Sequence, residues 1–138
     1  MDVSDEGTRS FATFKKLKSI AHFHPEKNFT GTSLAALANL ASLKRPTVAG
    51  SLEFGDAGME AVSTITQLKE FRTWHTGVTI DGVKKLRALK NLTSLTLGQR
   101  LSYTPPTTVS DATVAVLAEF SSLGALSLQM AMGFHAKP

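Results

Sequence analysis

The sequence predicts an α/β fold of about five similar units, in which each helix leads into a strand and all strands run parallel. Three observations predict it: apolar residues recur at a fixed spacing, the units begin alike, and within each unit the spacing shortens from three residues to two. The change is plain in the segment LKNLTSLTL (89–97), which carries leucines at 89, 92, 95 and 97. Such repeats are sought before single helices and strands are assigned, because a missed repeat misassigns the whole fold.

The apolar spacing is clearest near the carboxyl end of the chain. Six apolar residues there follow each other at intervals of 3, 3, 3, 3 and 2: Val114, Leu117, Phe120, Leu123, Leu126 and Leu128. Residues 83–97 repeat this spacing without a mismatch, and residues 59–73 repeat it with one polar residue at the end. Two weaker copies, each with one or two misfits, occupy residues 34–48 and 8–22.

The starts of the units also match. Each has an apolar residue, then small polar residues, then an apolar residue: VSDEGT (3–8), FTGTSL (29–34), FGDAGM (54–59), VTIDGV (78–83) and VSDATV (109–114). Successive starts are 26, 25, 24 and 31 residues apart, and the insertion QRLSYTPPTT (99–108), with two prolines, accounts for the long last step as a loop. The sequence therefore predicts one domain, 1–138, belonging to a longer protein, with repeats at 3–28, 29–53, 54–77, 78–108 and 109–130.

The spacing within a unit predicts its local structure. Apolar residues three apart over about ten residues keep one stripe of a helix facing inward. A final pair two apart places both side chains on one face of a strand. The Asp or Thr/Ser before each helix, as in Asp56 and Asp111, is predicted to cap the free amide groups of that helix. Strands joined by helical crossovers align in parallel, and stacking of neighbouring units buries leucines worth about 2 kcal/mol each.

The segment VTIDGVKKLRALKNLTSLTL (78–97) resembles the leucine-rich repeat family, in particular the bacterial subtype whose units read VTDAGLxxLxxLxxLxxLxLxxTxV. The resemblance extends from about Val3 to Leu128. It implies a right-handed, curved solenoid with parallel strands on the concave side and helices on the convex side. It also implies a role in binding macromolecules, and an exported or cell-envelope setting. Pro46, Thr73 and His22 depart from the pattern, since each stands where an aliphatic side chain is expected.

The composition is that of an ordinary globular domain: 138 residues, 42% hydrophobic, without cysteine, and with a net charge of +4. No apolar run approaches the roughly 20 residues of a membrane span, so no membrane insertion is expected. Two clusters of basic residues are predicted to lie on the outer faces of helices: Lys15, Lys16 and Lys18, and Lys84, Lys85, Arg87 and Lys90. Nucleic-acid binding through these faces is a third hypothesis and is not favoured.

No residue set predicts catalysis. Serine, histidine and aspartate all occur, but no nucleophile elbow is present, and the GDAG at 55–58 belongs to the start of a repeat rather than to a phosphate loop. The histidines lack a regular metal-ligand spacing, and His22 is predicted to point into the core as a neutral imidazole. The sequence thus predicts a protein that is not an enzyme and that has no cofactor or metal.

A candidate binding site follows from the alternation of side chains along the strands. Residues between the inward positions face outward, which places Arg45, Glu70, Arg72 and Trp74 on the exposed side of the sheet. Tryptophan and arginine are the residues favoured at interaction hot spots. Tyr103 in the insertion is a further candidate. The alternatives are that Trp74 is ordinary packing and that the insertion is a tolerated surface loop.

The predicted function is a non-catalytic leucine-rich repeat module that binds a partner on its concave sheet face. A protein is the expected partner, and a glycan is the alternative. The second hypothesis is a structural segment whose open ends stack on other domains or on other copies of the chain, giving a homo-oligomer.

Overall fold

The computed structural model describes residues 3–23, 29–98 and 109–129. It is an α/β structure with one five-stranded sheet, in which every strand is parallel to its neighbours and the strands follow chain order. The strands are β1 (Ser19–Phe23), β2 (Arg45–Ser51), β3 (Glu70–Thr76), β4 (Ser94–Gly98) and β5 (Ala125–Gln129). Leu95 pairs with Leu126 and Leu97 with Leu128, so the predicted parallel alignment of these two segments is confirmed.

The helices are shorter than the sequence predicted. They are α1 (Asp5–Arg9), α2 (Asp56–Val62), α3 (Ile80–Lys85) and α4 (Asp111–Leu117), together with 3-10 helices at Ser10–Thr13, Thr32–Leu37 and Leu86–Ala88. After α2 the amide of Ile65 donates to the Val62 carbonyl at 3.0 Å, and Leu68 donates to Ile65 at 3.1 Å. A strict period of three is the period of 3-10 turns rather than of an α-helix. Expecting about ten helical residues in each unit was therefore wrong.

The core lies between the sheet and the helices, and it is continuous across the middle repeats. The inward positions of β3 and β4 are buried, with Phe71, Leu95 and Leu97 at 0% exposure. The last repeat differs, because Leu126 is 45% and Leu128 is 38% exposed. Strand β5 is the edge of the described sheet, and no described element covers that side. Burial of the apolar positions is therefore incomplete in the last repeat, which has a neighbouring strand on one side only among the described residues.

The three departures from the apolar pattern occupy buried positions without interrupting the sheet. Pro46 is buried in β2 opposite Ile20 of β1. His22 is 0% exposed, lies 3.2 Å from the Thr8 hydroxyl through Nε2, and stacks on Phe29 with ring centroids 4.5 Å apart. Burial lowers the pKa of His22, although the nearby Asp5 carboxylate acts in the opposite direction. The prediction of an inward, neutral His22 agrees with this placement.

Two aspartates at the starts of repeats, Asp5 and Asp56, connect neighbouring repeats instead of capping their own helices. The predicted cap by a serine before the helix is confirmed at α1 and α4, where the side chains of Ser4 and Ser110 accept from backbone amides. Asp56 is the first residue of α2, and its carboxylate accepts hydrogen bonds from the amide and hydroxyl of Thr79, 23 residues further along the chain. The predicted caps at Asp56 and Asp111 are wrong, since each residue lies inside the first turn rather than before it.

Asp5 makes the same connection between the first two repeats. Its carboxylate accepts from the amides and hydroxyls of Thr30 and Ser33, and from the Gly31 amide at 3.1 Å. Burial by itself would raise the pKa of Asp5, but these hydrogen bonds together outweigh it and hold the pKa below the usual 3.8. The carboxylate thus fixes the start of one repeat against the start of the next.

A pair of backbone hydrogen bonds sets each strand against the strand before it. The carbonyl immediately before a strand accepts the two amides at the start of the following strand. The acceptors are the carbonyls of Lys18, Lys44, Lys69 and Thr93. Lys15, Lys16 and Lys18 accordingly lie in the turn between the first 3-10 helix and β1, so their predicted helical placement is wrong.

Candidate functional site

The outward residues of the five strands form an open face, on which strand register aligns them in three rows. The rows are Ser19, Arg45, Glu70, Ser94 and Ala125; Ala21, Thr47, Arg72, Thr96 and Ser127; and Phe23, Ala49, Trp74, Gly98 and Gln129. The four predicted site residues on strands, Arg45, Glu70, Arg72 and Trp74, therefore share one face. This follows from the period of two along a strand combined with in-register parallel pairing.

Two aromatic rings and a guanidinium group meet at the centre of this face. The Arg72 guanidinium carbon lies 5.2 Å from the centroid of the Trp74 ring, within the range of a cation–π interaction. On the other side, the rings of Phe23 and Trp74 have centroids 6.0 Å apart at an interplanar angle of 49°. Ala49 lies between them in the row and is only 2% exposed. A small side chain at this position lets rings from β1 and β3 approach across β2.

Gly98 gives Trp74 its space on the β4 side. A Cβ atom at Gly98 would lie 2.2 Å from the Cβ and 3.0 Å from the Cα of Trp74. Such distances are too short for non-bonded carbon atoms, so any larger residue at position 98 would displace the tryptophan. The aromatic cluster is thus accommodated by Ala49 and Gly98, two small residues that flank Trp74 in the same row.

An ion pair borders the cluster at the start of the strands. Arg45 Nε lies 3.8 Å from a Glu70 carboxylate oxygen, and the two side chains are 59% and 34% exposed. Exposed pairs of this kind contribute at most about 1 kcal/mol. A shallow groove of about 380 Å³ runs from this pair toward Phe23 and is also lined by Arg72. The groove offers hydrogen-bond donors at one end and an aromatic side chain at the other.

The residue that follows Trp74 has a strained backbone. His75 has φ of 52°, in the left-handed region, and Gly50 one strand away has φ of 75°. Glycine adopts this conformation without steric cost, whereas for histidine it costs about 1 kcal/mol. Backbone strain of this kind is often found at functional sites. The strained residue, His75, directly follows Trp74, which agrees with a candidate site at the carboxyl end of β3.

The sequence prediction did not include every member of the cluster. Phe23 is absent from the predicted site, although it is 46% exposed and contacts Trp74. The missing information was the register between strands, which aligns Phe23, Ala49 and Trp74 in one row. Tyr103, the remaining predicted site residue, lies outside the described residues, as does the rest of the 99–108 insertion.

The open face presents aromatic, cationic and hydroxyl groups. Within residues 3–23, 29–98 and 109–129, no three histidine or acidic side chains are grouped so that they could hold a metal ion. Over the same ranges, no helix has the length and apolar character required to cross a membrane. The chain matches no protein-family model and no curated protein.

Proposed function

We propose that the protein is a non-catalytic binding module of the leucine-rich repeat type. In this proposal the chain forms a right-handed solenoid, its sheet lines the concave side, and the open face binds a protein partner. The parallel sheet in chain order supports the solenoid, because consecutive strands joined by helical crossovers stack in this way. The observation that carries the binding role is the cluster of Phe23, Arg72 and Trp74 on an otherwise small and polar face.

The composition of the cluster favours a protein as the partner. Tryptophan and arginine dominate the binding energy of protein interfaces when they are surrounded by smaller residues that exclude water. Here Trp74 is partly buried, Arg72 is exposed, and the adjacent row positions are filled by Ala49, Gly98 and Thr47. Because Arg72 and Trp74 are already in contact, little side-chain entropy is lost when a partner covers them.

The test uses Arg72→Ala and Trp74→Ala with partners captured from a lysate and then purified for titration. Each substitution is expected to weaken binding at least tenfold, which corresponds to about 1.4 kcal/mol. Ser127→Ala, on the open face two strands from Trp74, is the matched control and is expected to leave the affinity within about twofold. Unchanged affinity in both cluster variants, with an intact fold by circular dichroism, would exclude this site.

A second candidate function is a structural segment whose end stacks on another domain or copy. It is favoured by the last repeat, where Val114 is 46% and Leu126 is 45% exposed beside a depression of about 350 Å³. Exposed aliphatic side chains that line one depression are typical of an interaction surface. Light scattering across a concentration series tests self-association. A strictly monomeric, folded chain at high concentration would argue against the version with copies of this chain.

A further inference from the structure

Hydrogen bonds between neighbouring repeats run in one direction, with acceptors on the earlier repeat and donors on the later one. At the strand starts, the carbonyls of Lys18, Lys44, Lys69 and Thr93 each accept two amides of the following repeat. At the repeat starts, the Asp5 carboxylate accepts from the amide and hydroxyl of Thr30. Asp56 does the same with Thr79. A repeat thus has an acceptor side, toward the next repeat, and a donor side, toward the previous one.

The turn before each strand adds a third contact in the same direction. Ser42, Gln67, Asn91 and Ser122 occupy equivalent places in successive repeats. Each of these side chains donates to a backbone carbonyl of the preceding repeat, over distances from 2.6 Å for Ser122 to 3.3 Å for Asn91. The equivalent residue of the first repeat is Lys16, which is exposed. Its ammonium group is a donor too, but the described residues include no repeat before it.

The acceptor side of the last repeat has every one of these acceptors without a donor among the described residues. Gly124 stands immediately before β5, and its carbonyl is the equivalent of the Thr93 carbonyl. Asp111 is the first residue of α4, as Asp5 and Asp56 are the first residues of α1 and α2. The apolar positions are uncovered as well, because Val114 is 46% and Leu126 is 45% exposed. Their equivalents in the fourth repeat, Val83 and Leu95, are both 0% exposed.

The donor side of the first repeat is complementary to this surface. The amides of Lys18 and Ser19 are the equivalents of the strand-start donors, and they have no acceptor within the described part of the chain. Ser4 takes the place of Thr30 and Thr79, and its hydroxyl accepts from the Gly7 amide, which leaves its own proton free to donate. Phe14 is 54% exposed, whereas Leu40 and Leu89 at the equivalent places are 2% exposed.

We propose that the acceptor side of the last repeat binds the donor side of the first repeat of a second copy of this chain. In this interface β5 pairs with β1 of the second copy in parallel, and Leu126 lies opposite Ile20. The Lys18 and Ser19 amides of the second copy donate to the Gly124 carbonyl, and its Ser4 donates to Asp111. The proposal rests on the second candidate function, in its version with copies of this chain, and names the two surfaces that meet.

Hydrogen-bonding groups and charge both favour unlike ends over like ends. Two acceptor sides would place carbonyl and carboxylate oxygens against each other without a donor, and buried polar groups without partners are costly. Residues 3–23 carry four basic and two acidic side chains, whereas residues 109–129 carry two acidic and no basic ones. Glu119 is held by Arg87, so Asp111 is the free charge of the last repeat. Opposite charges steer unlike ends together, and like charges disfavour the other pairings.

The arrangement of the two surfaces has a consequence for the assembly. They lie on opposite edges of the sheet, β1 and β5, so one copy can bind a neighbour at each edge. Contacts between unlike surfaces give a ring where the rotation between copies closes, and an open filament where it does not. Assembly is therefore expected to continue beyond a dimer, which a contact between two like surfaces would not allow.

The experiment blocks one side at a time and follows mass by sedimentation velocity over a concentration series. Leu126→Glu blocks the acceptor side, and Phe14→Glu blocks the donor side. Each variant alone is expected to remain monomeric, whereas an equimolar mixture is expected to form a dimer and nothing larger. Leu52→Glu is the matched control, because Leu52 is 48% exposed but belongs to a middle repeat. It is expected to assemble with the concentration dependence of the parent chain.

Two milder variants test the polar contacts should either glutamate substitution unfold the chain, which circular dichroism detects. Asp111→Asn and Lys16→Ala change exposed side chains, and each is expected to weaken self-association at least about tenfold. Unchanged association in both of these folded variants would overturn the proposal. An equal loss of assembly in Leu52→Glu would also overturn it, since that result would indicate unspecific association of exposed apolar side chains.

The variants also separate this proposal from the functions on which it does or does not rest. Self-association of Phe14→Glu alone would show that two acceptor sides pair, which overturns the proposal but retains association between copies. Self-association of Leu126→Glu alone would have the same meaning for two donor sides. A parent chain that is monomeric at every concentration would overturn both. None of these outcomes bears on the open face, which is tested separately by Arg72→Ala and Trp74→Ala.

Discussion

Trp74 and Gly98 lie side by side on adjacent strands, and the missing side chain of Gly98 leaves room for the tryptophan. The closest approach that a Cβ at position 98 would make is 2.2 Å, to the Cβ of Trp74. This relationship connects a candidate-site residue of β3 to a small residue of β4. It also makes the tryptophan position sensitive to a change that removes no functional group.

Gly98→Ala is therefore expected to disturb the aromatic cluster while leaving the core in place. Strain from the added methyl group should destabilise the chain by about 1 to 3 kcal/mol and should displace the Trp74 ring from its present packing against Phe23. Trp74 is the single tryptophan of the sequence, so its fluorescence spectrum reports the movement directly. An unchanged emission maximum and an unchanged melting temperature would contradict the packing described. Gly124→Ala is the matched control, because a Cβ there would meet only the Thr93 carbonyl oxygen at 3.8 Å.

Thr73→Val is expected to stabilise the chain. Thr73 is 1% exposed, and its hydroxyl has no hydrogen-bond partner among the described residues. Replacing an unsatisfied buried hydroxyl by a methyl group of similar size removes a desolvation cost, so the free energy of unfolding should rise by about 1 kcal/mol. Urea denaturation measures the change. Thr76→Val is the control. The Thr76 hydroxyl accepts a hydrogen bond from the Val78 amide, so removing this hydroxyl should not raise the free energy of unfolding.

Asp56→Asn is expected to weaken the connection between the third and fourth repeats. The amide group of asparagine keeps one oxygen that can accept from the Thr79 amide, but it loses the negative charge and the second acceptor oxygen, to which the Thr79 hydroxyl donates. Loss of hydrogen bonds to a partly exposed carboxylate should lower the free energy of unfolding by about 1 to 2 kcal/mol. Asp81→Asn is the comparison, since the Asp81 side chain is 82% exposed. Equal effects in thermal melts of the two variants would show that Asp56 has no special role.

Stability is expected to fall as the pH decreases from 7 toward 5, because of His22. Burial lowers the pKa of His22 in the folded chain below the usual 6.5. The unfolded chain then binds the proton more readily, so stability is fully present above pH 6.5 and is lost as the pH falls through that value toward the folded pKa. The slope from one histidine is at most about 1.4 kcal/mol per pH unit.

The His22→Phe variant tests the origin of this pH dependence. Phenylalanine can keep the stacking on Phe29, and the Thr8 hydroxyl still donates to the Ser4 carbonyl at 2.9 Å. Urea unfolding at several pH values between 5 and 7 should therefore show a smaller slope than in the parent chain. The same slope in both proteins would assign the effect to another group.

The parallel sheet could be predicted because the spacing of apolar residues indicates both which residues form a strand and which later strand is equivalent to it. Pairs such as Leu95 and Leu97 identify a strand face, and their recurrence in Leu126 and Leu128 identifies the partner strand. The length of the helices could not be read from the same spacing. Residues three apart satisfy both a helical stripe and a series of 3-10 turns, and the choice between them depends on packing in the folded chain.

The binding site was predictable only in part, since its residues come from different repeats. Alternation along one strand was enough to place Arg72 and Trp74 outward. Register between strands was needed to align Phe23 with Trp74 and to place Gly98 against the indole.

The paired amide bonds at the strand starts have a consequence for how such a chain tolerates change. Thr93 accepts the amides of Gly124 and Ala125 across 31 residues of chain, just as Lys69 accepts those of Thr93 and Ser94 across 24. These bonds fix the register of each strand against the preceding strand, so the register does not depend on the length of the segment that connects the two strands. Segments between strands can therefore lengthen or diverge in evolution while the following strand still pairs in the same register.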